Sequence, residues 1–197
     1  MQAPDKTNSF YAKDRKAWRK WLEKNHSKAE YVWLNIYHKG ADTPSVYYEE
    51  AVEEALCFGW IDSKPNKKGD DNFYLFFTKR KPKSKWSRIN KNRIEKLQAE
   101  GKMAPAGLEM VELAKKSGTW TALEKIDRME IPEDLQKAFA ANKTAKKYFD
   151  LFPPSTRKQL LEWVENAKRP ETRNNRIREI VTLAAKNIRA NQYTPKK

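Results

Sequence analysis

Between Phe77 and Arg93 the chain reads FTKRKPKSKWSRINKNR, with eight Lys or Arg among seventeen residues, no acid and one Trp. Cations at that density accumulate phosphates, and Trp86 with Phe77 offers flat faces on which the bases of a single strand could stack. Lys79, Lys83, Lys85 and Arg88 are the phosphate-contacting candidates of such a surface. A second basic run, ETRNNRIREI, follows a break at Arg169-Pro170. There Arg173, Asn174 and Arg176 are the side-chain types that read base edges from the start of a recognition helix. The same pair of helices is also what the outside of a helical bundle looks like, where exposed faces need only solvation.

A different chemistry gathers around Trp60, Asp62, Arg80, Trp86, Ser87, Asn90 and Arg93. A strand alternates its faces, so Trp60 and Asp62 point together and Ile61 points away. The chain then returns to Arg80, and a following helix carries Ser87, Asn90 and Arg93 at intervals of three, on one side. Aromatic walls with a few convergent polar groups make a binding pocket. An Asp62–Arg80 ion pair that pins a hairpin to the next helix is the alternative. Trp60, Asp62, Arg80 and Trp86 are also where an enzyme centre would have to lie.

Catalytic groups are otherwise missing from the sequence. Glu49, Glu50, Glu53 and Glu54 are expected on the exposed face of an amphipathic helix, and His26 and His38 stand in no motif. Cys57, near a helix C-terminus among apolar neighbours, lies where the dipole disfavours a thiolate. No zinc spacing, glycine-rich phosphate loop or Ser-centred elbow occurs. Binding rather than catalysis is expected, with no metal and no cofactor.

The elements that must position these residues can be read from periodicity. Asp14 caps a first helix with Ala17, Trp18, Trp21 and Leu22 on one face. In EYVWLNIYHKG, Val32, Leu34 and Ile36 alternate with Tyr31, Trp33, Asn35 and Tyr37, the period of a strand with a second, aromatic face. YYEEAVEEALCFG is helical and closed by Gly59. Trp60 to Lys64 and Asn72 to Thr78 are expected as a hairpin joined by PNKKGDD. The fold class is therefore α+β, a small, mainly antiparallel sheet with helices on one side.

From Ser87 onward the pattern is helical throughout. One helix runs to Glu100, a second is closed by Gly118, and Pro132 and Pro170 open two others at their first positions. Thr144 and Ser155 are expected as caps, and the last helix carries Ile177, Ile180, Val181, Ala184 and Ile188 as one stripe. This gives an α+β domain over residues 1–118, a linker over 119–130 and an all-helical module over 131–197.

A formal charge of +15, spread over both halves, favours anionic partners. With 39% hydrophobic residues and seven Trp the chain has material for a real core. One cysteine excludes an intrachain disulfide, and the absence of a signal-peptide core or a long apolar run leads to a cytoplasmic expectation with no membrane span.

Two blocks resemble the bacterial YdeI/OmpD-associated, or bacteriocin-protection, proteins. The first is EAVEEALCFGWIDS, Glu50 to Ser63, continuing through FTKRKPKSKWSRINKNRIEKLQAEGKMAPAGL, Phe77 to Leu108. The second runs from Ile131 to Ala184, IPEDLQKAFAANKTAKKYFDLFPPSTRKQLLEWVENAKRPETRNNRIREIVTLA. The resemblance adds weight to Arg80, Trp86, Ser87, Asn90 and Arg93. Ser63 stands where the family pattern has Gly, and Lys79 where Pro often precedes the Arg. The resemblance implies a cytoplasmic bacterial protein connected with stress or bacteriocin tolerance, and supplies no catalytic mechanism. The expected partner is an anionic or partly apolar ligand or protein, with nucleic acid as the alternative.

Overall fold

The computed structural model describes residues 8–63 and 65–192, in two units, Met1–Ala122 and Leu123–Lys197. In the first unit, β1 (Ser9–Tyr11) leads to α1 (Arg15–Asn25), whose N-cap Asp14 accepts a hydrogen bond from the Ala17 N–H at 2.7 Å. Then follow β2 (Tyr31–Tyr37), α2 (Tyr48–Cys57), β3 (Trp60–Asp62), β4 (Asn66–Lys67), β5 (Asn72–Lys79), α3 (Arg88–Ala99) and α4 (Pro105–Ser117). The fold is α+β, with the sheet confined to this unit.

The strand order is β1-β2-β5-β3, with β4 also paired to β5. β1 runs parallel to β2, and the other pairings are antiparallel. The alternation along β2 becomes two buried faces. Val32, Leu34 and Ile36 enter the main core with Leu75, Phe77 and Trp18, while Trp33 lies 4.7 Å from Phe76 on the other face. The hairpin expected from Trp60 onward is interrupted. β3 and the short β4 both pair with β5, because Ser63 N–H still donates to Phe76 and the chain then re-enters at Asn66. Lys64, the expected end of the strand, lies outside the described residues. The two departures from the family pattern both serve this ladder, since Lys79 pairs with Trp60 in register.

One expectation about α2 fails. Glu54 is only 2% exposed, because α1 lies against α2 and brings Arg15 Nε to 2.6 Å and Arg19 Nη1 to 2.7 Å from its carboxylate. Glu53 likewise takes Arg15 at 2.9 Å. The acidic face of the helix is thus half consumed by tertiary ion pairs rather than left to water.

The second unit is helical: α5 (Glu124–Asp127), α6 (Glu133–Ala141), α7 (Lys143–Leu151), α8 (Pro154–Glu165) and α9 (Pro170–Ala184). Its core joins Leu135, Phe139, Phe149, Leu160, Leu161 and Ile180. Several helix ends differ from expectation. Pro132 and Pro153 occupy N-cap positions, and Asn142, not Thr144, caps α7 by accepting from Ala145 N–H at 3.0 Å. Ser155 lies inside α8, which Pro154 already starts with its fixed φ. α9 ends at Ala184, Asn187 takes a φ of 56°, and Ile188 leaves the stripe to stand 50% exposed. The 119–130 segment is shared out, since Trp120 packs on the first unit's core and Ile126 of α5 belongs to the second's. Among the described residues no helix is long and apolar enough to cross a membrane.

Candidate functional site

β5 delivers Arg80 to the end of the sheet, where its backbone N–H donates to the Gly59 carbonyl at 2.9 Å. The guanidinium lies flat on Trp86, 3.7 Å from the ring centroid, and Nη2 donates to the Lys85 carbonyl at 2.5 Å. Trp86, 2% exposed, is held in turn by Trp120 at 5.1 Å and by its backbone N–H on Thr119. Arg80 itself is 4% exposed, and its Nε and Nη1 meet no protein acceptor among the described residues. Burial without a counter-charge lowers its pKa to about 10.

The other residues singled out in the sequence separate into smaller groups. Trp60, 1% exposed, is a core residue whose indole N–H donates to the His26 carbonyl at 3.2 Å and whose ring meets Trp21 edge-on. Asp62 does not pair with Arg80 and instead accepts from the Tyr48 hydroxyl at 2.9 Å. Burial, and then Asp62, push the Tyr48 phenol up, while the Arg93 charge opposes them. Arg93 Nη1 donates to Asn90 Oδ1 at 3.1 Å, and Ser87 is the N-cap of α3, accepting from Asn90 N–H. The structure thus joins Arg80 to Trp86 and Asn90 to Arg93, and sets Arg93 within the electrostatic reach of Tyr48. Tyr48 was not legible as a partner, since it lies fourteen residues from Asp62 on a separate element. It also lines a cleft of about 310 Å³ with Tyr37, Tyr47 and Phe73.

The residues proposed for nucleic acid also divide. Lys83 and Arg88 are exposed, and Asn174 is exposed on α9. Lys79 is bound at 2.7 Å to Glu30. Arg173 is held by Asp134, with Nε–Oδ2 at 2.5 Å and Nη2–Oδ1 at 3.1 Å, and by Glu165 at 3.0 Å. Arg176 donates to the Trp163 carbonyl and lies over that ring. Two of the three would-be base readers therefore serve the fold of their own unit.

The Asp134–Arg173 pair predicts a pH dependence. Hydrogen bonding to Arg173 holds the Asp134 carboxyl below its ordinary value, so its contribution to stability is present above the unfolded-state pKa of about 3.9 and is lost as pH falls through the folded value. Asp134→Asn should therefore be less stable than wild type at neutral pH, and the gap should close on acidification below about pH 4. Urea unfolding at neutral and acidic pH measures this, and a gap that stayed constant would rule the pair out as its source.

The second unit also contains a groove of about 720 Å³, lined by the 128–131 segment, α6 and the start of α7. Met129, Ile131, Phe139 and Ala140 form its apolar lining, with Arg128, Lys143 and Lys146 as cations and Glu130 as the acid. Met129 holds a left-handed φ of 58°, and Gln136 fixes the segment by donating to the Ile131 carbonyl at 2.7 Å. Arg128 is tied to Glu130 at 2.6 Å and Lys146 to Asp150 at 2.5 Å. No local motif signals this groove. The one sequence hint is Asn142, the single residue between α6 and α7, which forces the two helices together.

Two family models match the chain. Residues 10–110, about half of it, match a domain of unknown function (DUF8412), and residues 128–187 match the family described as bacteriocin-protection, YdeI or OmpD-associated (OmdA). The chain belongs to the DUF8412 family and carries a YdeI/OmpD-associated domain. No curated protein and no solved structure matched it. The first resembling block, Glu50 to Leu108, thus falls in the DUF8412 region, and so does the Arg80–Trp86 stack. The groove lies in the YdeI/OmpD-associated domain.

Proposed function

We propose that this protein is a non-enzymatic cytoplasmic binding protein for a small anionic amphiphile, received by the groove of its YdeI/OmpD-associated domain. The observation that carries this reading is the composition of the groove, an apolar lining from Met129, Ile131, Phe139 and Ala140 beside three cations. An apolar body would displace water from the Phe139 side while its acid meets Lys143, which makes no ion pair among the described residues. Met129 adds an adaptable thioether wall suited to ligands of variable shape. Capture of such molecules is the means by which the protein would contribute to bacteriocin tolerance, the role that the family description suggests.

Displacement of a fluorescent fatty acid by dodecanoate measures the binding. Lys143→Glu removes the attracting charge at the first position of α7, where an acid is favourable to the helix. It should weaken binding roughly tenfold, equivalent to about 1.4 kcal/mol, while the melting temperature holds. Ala140→Trp should fill the exposed wall of the groove and abolish binding. Equal affinity in wild type and Ala140→Trp would overturn the assignment, as would a wild-type protein that takes up no fatty acid.

A further inference from the structure

The Arg80 guanidinium differs from the other arginines that the fold withdraws from water. Arg15 and Arg19 meet Glu54, and Arg173 meets Asp134 and Glu165. Arg176, which also rests on a Trp, remains partly exposed. Arg80 alone among these is 4% exposed and has no carboxylate, only the Lys85 carbonyl, with Nε and Nη1 left without a protein acceptor. A buried charge without a partner is costly, and a fold that needed only a stacking side chain here could use an uncharged one.

We propose that Arg80 is the receptor for an oxyanion, the terminal carboxylate or phosphate of a small molecule, which docks on Nε and Nη1 while the guanidinium plane is fixed by Trp86. The planar fork matches either group, and the stack leaves little side-chain freedom to be lost on binding. An anion would reach it past the Lys81–Lys85 segment. Lys81, Pro82 and Lys83 are exposed, and Ser84 closes a turn on the Lys81 carbonyl at 3.0 Å. Lys81 and Lys83 raise the local concentration of anions at that entrance, and the Lys85 carbonyl, by holding Nη2, orients the remaining donors. This site lies in the DUF8412 region and does not depend on the groove.

The test uses the full chain with inorganic phosphate and with acetate, each added at constant ionic strength against chloride. The Arg80 Nε–H and Trp86 indole N–H resonances and the melting temperature are followed together. One of the two anions should shift both resonances saturably and raise the melting temperature, and the identity of that anion separates a phosphate ligand from a carboxylate ligand. Arg80→Met should lose the thermal response, whereas the double variant Lys81→Glu, Lys83→Glu should keep a saturable response at several-fold weaker affinity. Should Arg80→Met fail to fold, Arg80→Lys keeps the charge without the fork and should bind at least tenfold more weakly. Three results would overturn the proposal. Neither anion moves the Arg80 resonance, the mark of a group satisfied by water alone; the response survives in Arg80→Met or is undiminished in Arg80→Lys; or it vanishes in the double variant with Arg80 intact, the mark of surface electrostatics.

Discussion

Gly107→Ala should be among the most damaging single substitutions in the chain. A Cβ at this position would lie 2.2 Å from the Cys57 carbonyl oxygen, 2.7 Å from its carbon and 2.9 Å from the Leu56 oxygen. All three are backbone atoms at the end of α2, and the Ala104 N–H already donates to the same Cys57 oxygen at 3.1 Å. No rotamer change relieves the contact, so α4 must move away from α2, and Val111 and Ala114 with it. The expected loss is roughly 3 kcal/mol or more, above the usual range for overpacking because the obstacle is main chain. Gly118→Ala is the control. Gly118 has a φ of 74° and nothing near the added Cβ, so only the left-handed conformation is penalised, at about 1 kcal/mol. Equal effects in urea unfolding would contradict the close approach of the two helices.

The second large effect is expected at Glu54. Its removal as Glu54→Ala leaves Arg15 and Arg19 facing one another without the carboxylate that both contact. Breaking a buried pair by deleting one partner costs about 3–5 kcal/mol, and the partial exposure of the two arginines, 29% and 31%, places the expectation at the lower end. Glu53, which also contacts Arg15, limits the loss further. Glu23→Ala, which removes the exposed partner of Arg19, should stay within about 0.5 kcal/mol. A loss below about 1 kcal/mol for Glu54→Ala would show that the arginines are adequately solvated once released. The same substitution should leave fatty-acid uptake by folded protein unchanged, since the groove is lined by residues 128–146 alone.

The family models and the Arg80 stack together explain why the residues common to the resemblance carry unequal weight. Ser87 is a cap and Asn90 holds Arg93, so their places follow from helix geometry. Trp86 has a packing role as well, but its ring also carries the guanidinium. Arg80 is the member of the set whose position the fold does not account for by pairing. The Asp62–Arg80 ion pair considered from sequence is replaced by Asp62–Tyr48, which leaves Arg80 Nε and Nη1 without a protein acceptor among the described residues.

What the sequence by itself determined is what depends on neighbours within a few residues. Asp14 and Ser87 cap their helices because a side-chain oxygen reaches an N–H three residues on. Gly118 ends α4 because it alone accepts a left-handed φ cheaply there, and β2 declares itself because its side chains alternate at period two. The α+β class and the helical second unit follow from such local signals in series. The tertiary structure decided everything that needs two surfaces remote in the chain to meet. β1 is three residues long and gains its pairing only from β2, more than twenty residues away. Glu54 is charged, and so reads as solvent-facing, until α1 supplies two arginines to cover it. Arg173 and Arg176 look like base readers until α6 and α8 take up their hydrogen bonds. The isolation of Arg80 and the groove beside Phe139 are likewise properties of packing, since burial and missing partners are set by which distant groups close over a side chain and not by its neighbours in sequence.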